Sequence, residues 1–221
     1  MVRVYYHIYA VEGVESIIDE QVSLIDTYFD FPYIMNIGIT TTKENQRISQ
    51  IIDKLYSYNP NYRIRDVRIG GNEFTTLDLI ELDKDIIADD DKILYLHTKG
   101  ASKLEEVNYS NIVDWRNLLM YFNVVHVKTI FAAFKTNYNT FGCLLKRIAG
   151  FDTSIYDGNF WWAKGSYIKT LNFNSIRKNR ANAEIKFIQT GQNWLPYTIY
   201  NSDIGSHYSE PYPESIYNII V

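Results

Sequence analysis

A chain of 221 residues, 46% of them hydrophobic and 22% charged, holds enough apolar material for one substantial core. Its net charge of −4 excludes the basic face with which a duplex nucleic-acid binder displaces phosphate counterions, so no nucleic-acid partner is expected. No run of about 18 apolar residues occurs, which argues against a membrane span, and the single Cys143 excludes an internal disulfide or a thiolate metal cluster.

Residues 2–10, VRVYYHIYA, read as a strand, and residues 14–29 put Val14, Ile17, Ile18, Val22, Ile25 and Phe29 on one helical face. Residues 33–40 predict a second strand, and 43–58 a helix with Ile48, Ile51, Ile52 and Leu55 inward. A third strand over 62–69, a short helix over 75–82 and a fourth strand over 92–98 complete an alternating series. Such alternation implies an α/β fold whose mostly parallel sheet carries helices on both faces. The rhythm then changes. Residues 111–137 form one long helical pattern or two abutting ones, strand-like pieces fall around 140–145 and 159–164, and a last helix is expected over 177–190. The end of the chain is rich in aromatic, proline and turn residues. One domain over 1–221 is expected, with a soft internal boundary near 100–110. The start, MVRVYYHIYAVEG, lacks the features of a secretory signal, so a soluble cytoplasmic protein is expected.

In an open parallel sheet, ligands bind beyond the carboxyl ends of the strands. Here those ends are Tyr9 and Ala10, Thr40 to Thr42, Gly70 to Asn72, and His97 to Gly100. The last, HTKG, sets an imidazole, a hydroxyl and an ammonium before a glycine; a solvated strand end is the plain alternative. In IGGNEF, residues 69–74, two glycines before a helix offer backbone N–H groups to a phosphate, or simply a tight turn. Asp78 on the following helix is within reach of a ribose or sugar hydroxyl, or is merely exposed. Arg116 reads as an ion-pair anchor, Cys143 and His126 as structural, and the run Asp89–Asp91 as a solvated turn. Nucleophile-elbow and zinc motifs are absent.

The stretch DGNFWW, residues 157–162, sets two polar side chains against three aromatic ones. Adjacent tryptophans on a strand face opposite ways, so one is expected in the core and the other is offered to a ligand; a buried aromatic strand after a turn is the plain alternative. Together with ILYLHTKG, VDWRNLLMYF, FGC, Arg180 and Glu184, this stretch resembles the small nucleotide-sugar-dependent glycosyltransferases of the GT-A fold. They include rhamnan-synthesis and capsular-polysaccharide transferases and the amino-terminal domain that decorates the major capsid protein of a large chlorella virus. The resemblance covers roughly residues 68–190.

That resemblance implies a GT-A-like sheet, with about 1–100 as the nucleotide-binding half and 101–221 as the acceptor and catalytic half. It implies a nucleotide-sugar donor, UDP-linked by expectation, held by His7, Tyr9, Ala10, Thr40, Arg68, Gly70, Gly71, Asn72, Asp78 and Thr98. Gly158, Asn159, Trp161 and Trp162 would meet the sugar, and a glycan or glycoprotein, such as a viral capsid protein in the host cytoplasm, would be the acceptor. Asp157 and Glu184 are the carboxylates for the anomeric centre; His97 and Lys99 would offset leaving-group charge. HTK stands where many such enzymes carry an Asp-x-Asp metal motif. Any divalent ion, Mn²⁺ or Mg²⁺, is therefore expected to be weakly held, chiefly through the donor's phosphates, with Asp78 or His207 as candidate protein ligands. The alternatives are a non-catalytic carbohydrate-binding module and a nucleotide-binding scaffold.

Overall fold

The computed structural model describes residues 1–42, 47–147, 154–175, 178 and 180–218. Strand β1 (Val2–Tyr9), helix α1 (Val14–Tyr28), β2 (Tyr33–Thr41), α2 (Arg47–Tyr58), β3 (Arg63–Ile69), α3 (Phe74–Leu82) and β4 (Lys92–His97) follow the alternation read from the sequence. The predicted first turn of α2, residues 43–46, lies outside the described residues. Next come α4 (Tyr109–Met120), a π-helical turn (Tyr121–Val125), α5 (Val127–Ala133), β5 (Thr140–Gly142), β6 (Leu145–Arg147), β7 (Ser154–Tyr156) and β8 (Trp161–Lys164). Short helices α6 (Gly165–Ile168) and α7 (Arg180–Ile185), strand β9 (Pro196–Thr198) and α8 (Glu214–Tyr217) complete the chain.

The strands form one seven-stranded sheet in the order β3-β2-β1-β4-β8-β5-β9, with β6 and β7 paired as a separate hairpin. Neighbours among β1 to β4 are parallel, β8 runs against both β4 and β5, and β9 is parallel to β5. This is the expected α/β class with a mostly parallel sheet.

Helices cover both faces, which is why β1 is apolar or paired at nearly every position. Val2, Val4, Tyr6 and Ile8 face the core under α1 and α4, while Tyr5 faces the core under α3 and α7. The second face carries a row of satisfied polar groups. Arg3 Nε donates to Asp91 Oδ2 at 2.7 Å, and the Tyr5 hydroxyl donates to Asp83 Oδ2 at 2.8 Å, which also pairs with Arg65. Asp91 is therefore buried, against the expectation of a solvated turn; Arg3 and the amino terminus, 2.9 Å away, draw it inward. Cys143 is a buried free thiol, as expected, and burial raises its pKa.

The long pattern over 111–137 is two helices joined by the π-helical turn. There Asn123 gives its backbone carbonyl to the indole Nε1 of Trp162 at 2.9 Å, and its side chain donates to the Leu119 carbonyl. A π-turn frees carbonyls that an unbroken α-helix would consume.

Register places His7 opposite both Gly38 and His97. Gly38 is where α3 comes down onto the sheet: a Cβ there would collide with Thr76 Oγ1 and lie 3.1 Å from the Thr75 backbone. Gly38→Ala should therefore destabilise the fold by about 1–3 kcal/mol through overpacking. Chemical denaturation of the two proteins side by side measures this, and equal midpoints would refute it.

Candidate functional site

The carboxyl ends of β1, β2 and β4 open into a cleft of about 180 Å³. Of the residues selected from the sequence, His7, Tyr9, Thr40, Gly71, Asn72, His97, Thr98 and Lys99 line it together. Gly71 is pressed between Thr40, Arg68 and Thr75, so a Cβ there would sit 2.7 Å from Thr75 Oγ1. Asn72 turns its Oδ1 back to accept the Phe74 N–H at 2.9 Å and so opens α3.

His7 forms the floor. Its Nδ1 lies 3.0 Å from Thr76 Oγ1 and its Nε2 3.3 Å from Thr40 Oγ1, and the Thr76 hydroxyl reaches the Gly38 carbonyl. A neutral imidazole satisfies this chain, and burial lowers the His7 pKa to about 3. The adjoining strand end is fixed by the Tyr9 N–H, which donates to Thr98 Oγ1 at 2.9 Å.

His97 Nε2 donates to the carbonyl of Gly158 at 3.0 Å, binding the end of β4 to the DGN turn. That turn needs left-handed backbone: φ is 98° at Gly158 and 56° at Asn159, and a Cβ on Gly158 would lie 2.5 Å from Leu119. Asp157, one residue earlier, pairs with Lys146 Nζ at 3.1 Å and faces His207 Nδ1 at 3.8 Å. Burial pushes the Asp157 carboxyl up; His207, Lys146 and the charge of Lys99 outweigh it and hold it below the usual carboxylate range.

Lys99 is buried with its Nζ 3.7 Å from the centroid of the Trp115 ring. Its carbonyl accepts a bond from Arg116, whose guanidinium is clamped on Glu20 at 2.7 and 2.9 Å. Arg116 is thus the ion-pair anchor read from the sequence, and it fixes the HTKG turn. Trp115 in turn stacks on His207, with ring centroids 5.5 Å apart.

The family described as a domain of unknown function, DUF8361, matches residues 5–195. The chain belongs to this family. No curated protein matches it. Among solved structures, the crystal structure of 4-diphosphocytidyl-2C-methyl-D-erythritol synthase is similar over 92% of this chain and 91% of that one, at 11% identity and a TM-score of 0.43.

Several selected residues of this DUF8361 chain lie elsewhere. Trp161 and Trp162 do face opposite ways, but both are buried: Trp161 stacks on Tyr95 at 5.2 Å and Trp162 sits among Phe29, Phe131 and Phe134. Neither is offered to a ligand, because β8 is covered on both faces. Asn159 Oδ1 accepts the Trp161 indole N–H at 3.1 Å and is likewise interior. Arg68 and Asp78 pair with each other at 3.1 Å, outside the cleft lining, and Lys178 takes the second oxygen of Asp78 at 2.7 Å. Ala10 and Gly70 are backbone anchors to Thr40 and Thr41. Glu184 approaches from α7, where its charge and that of Glu73 add to burial in raising the Tyr95 phenol.

Glu73 is the carboxylate that the sequence reading passed over. It is buried, lines the cleft and stands at the amino-terminal end of α3, where a negative charge is favoured. Its signal was the place two residues after the glycine pair. Among the described residues, no three His, Cys, Asp or Glu side chains gather as a metal cage. Asp78, held by two cations, does not fit the ligand role expected of it; His207 faces the Asp157 carboxylate.

The buried neutral His7 gives a pH signature. Its folded pKa lies below the ordinary 6.5, so the native state stays unprotonated where the unfolded chain takes up a proton. That contribution is complete above pH 6.5 and is lost as pH falls toward 3. Lowering the pH from 7.5 to 5 should cost up to about 2 kcal/mol through this residue, and His7→Gln should flatten that part of the stability profile. An identical profile in the variant would contradict it.

Proposed function

We propose that the chain is a glycosyltransferase that takes a sugar from a nucleotide-sugar donor, UDP-linked by expectation, and passes it to a glycan or glycoprotein such as a viral capsid protein. The observation that carries this reading is Lys99, an ammonium buried in a cleft at the carboxyl ends of the parallel strands. The GT-A resemblance of the HTKG and DGNFWW segments supports it.

In such a transfer the bond from the anomeric carbon to the diphosphate oxygen breaks and its electron pair leaves with the diphosphate, while an acceptor hydroxyl oxygen bonds the anomeric carbon and its proton passes to water or the departing diphosphate. Lys99, pre-positioned by Arg116 and Trp115, offsets that charge without reorganising at the moment of reaction. Glu73 is the carboxylate a bound ligand meets, suited to sugar or ribose hydroxyls and to positive charge on the ring. Asp157 works from behind His207, as the ionised counter-charge that keeps the Lys99 side of the cleft in balance.

A thermal-shift panel of nucleotides and nucleotide sugars tests the reading, since a ligand at about 100 times its Kd stabilises by about 2.7 kcal/mol; no shift from any member would sink it. Lys99→Ala should then cost about 2–4 kcal/mol in transition-state stabilisation, comparable to losing one oxyanion donor. Transfer by the unmutated protein should survive EDTA; abolition by chelator with rescue by Mn²⁺ would move leaving-group stabilisation from Lys99 to the ion.

The two carboxylates separate by kinetics. Glu73→Gln should lower kcat/KM more than Asp157→Asn, whose effect should fall on kcat with nucleotide affinity kept. The reverse ranking would return the anomeric role to Asp157.

A further inference from the structure

With both DGNFWW tryptophans in the core, the cleft has another aromatic wall. Among its described lining residues, Tyr208 alone comes from beyond Lys103. Its backbone is pinned: the carbonyl accepts amide bonds from Asn108 at 2.6 Å and Asn111 at 3.2 Å, both at the start of α4. The rings of Tyr208 and Trp115 pack T-shaped, centroids 4.9 Å apart at 82°, and Tyr208 remains 39% exposed. The Lys99 ammonium lies 5.5 Å from its centroid.

A pinned, half-exposed aromatic ring beside a buried ammonium has the chemistry of a sugar subsite. A pyranose presents C–H groups on one face, which an aromatic face covers, while its hydroxyls remain for polar groups. Resting on the glycosyltransferase reading, we propose that Tyr208 is the platform for the donor's sugar ring. With the diphosphate at Lys99, the group attached to its distal end lies beside that ammonium, against the exposed part of the Tyr208 ring. At about 180 Å³ the cleft is smaller than the roughly 300–1,000 Å³ of typical ligand sites, so part of the donor must lie outside it, and Tyr208 is a lining ring that is itself partly open to solvent. The flat ring, not the hydroxyl, is the recognising element.

The test compares Tyr208→Leu and Tyr208→Phe with the unmutated protein by calorimetric titration. The probes are UDP, GDP and dTDP, and UDP-glucose, UDP-galactose, UDP-N-acetylglucosamine, GDP-mannose and dTDP-glucose. Leucine keeps apolar bulk and removes the flat face; matching melting temperatures of the three unliganded proteins confirm intact folds. For the tightest nucleotide sugar, Tyr208→Leu should weaken binding about fivefold to tenfold and Tyr208→Phe should match the unmutated protein, with the parent nucleotide unchanged in all three. Unaltered nucleotide-sugar affinity in Tyr208→Leu, or equal losses for nucleotide and nucleotide sugar, would overturn the platform. Should Tyr208→Leu fail to fold, Tyr208→Thr takes its place with the same expected loss and the same overturning results, and a loss in Tyr208→Phe as large as that of the ring-less variant would assign recognition to the hydroxyl and overturn the platform too. If no nucleotide and no nucleotide sugar binds the unmutated protein, the glycosyltransferase reading itself falls.

Discussion

One hydrogen bond organises the cleft, the 3.0 Å donation from His97 Nε2 to the Gly158 carbonyl. It joins the last residue of β4, a parallel strand, to the turn that feeds β8, which runs the other way. Lys99 follows the donor by two residues and Asp157 precedes the acceptor by one, so this bond sets how far apart the two opposite charges stand. Phe160 packs edge-on against the same imidazole, 5.3 Å away, which shields the bond from water and strengthens it.

The two faces of the central strands divide the labour. Under α1 and α4 the packing is almost wholly apolar, and it resists deformation as any close-packed interior does. Under α3 the strands carry Arg3, Tyr5 and His7, each matched to Asp91, Asp83 or a threonine hydroxyl. Matched polar groups contribute little net stability, yet removing one partner leaves the other stranded at considerable cost. That face therefore fixes one arrangement of strand ends, and the cleft inherits its shape.

The first half of the molecule was legible because its elements are long and their periods unambiguous: β1, α1, β2, β3, α3 and β4 lie within a residue or two of their sequence boundaries. In the second half β5 and β8 fall within the strand-like pieces read at 140–145 and 159–164, but the strands have only three or four residues, and those of the main sheet are created by long-range pairing that no local pattern sets. Strand β9, opening at Pro196 on the sheet edge, carries no periodic signal at all. The same contrast runs through the site. Strand-end residues were found by rule, whereas the burial of Trp161 and Trp162 depends on aromatics supplied by α5 and by residues near 187, which no local pattern announces. Glu73 looked like an ordinary residue opening a helix, and Tyr208 reaches Lys99 only once the chain has folded back over α4.

The thiol of Cys143 has a use of its own. It lies sealed between β5 and the π-helical turn, 3.5 Å from Asn123 Nδ2, with burial disfavouring the thiolate. Only the thiolate attacks an electrophile, so modification of this sulfur waits on an opening of the core at the place where Trp162 is tethered. The lone cysteine is thus a clock for that opening, and a reagent in the surrounding water reads the local closing equilibrium with no label introduced.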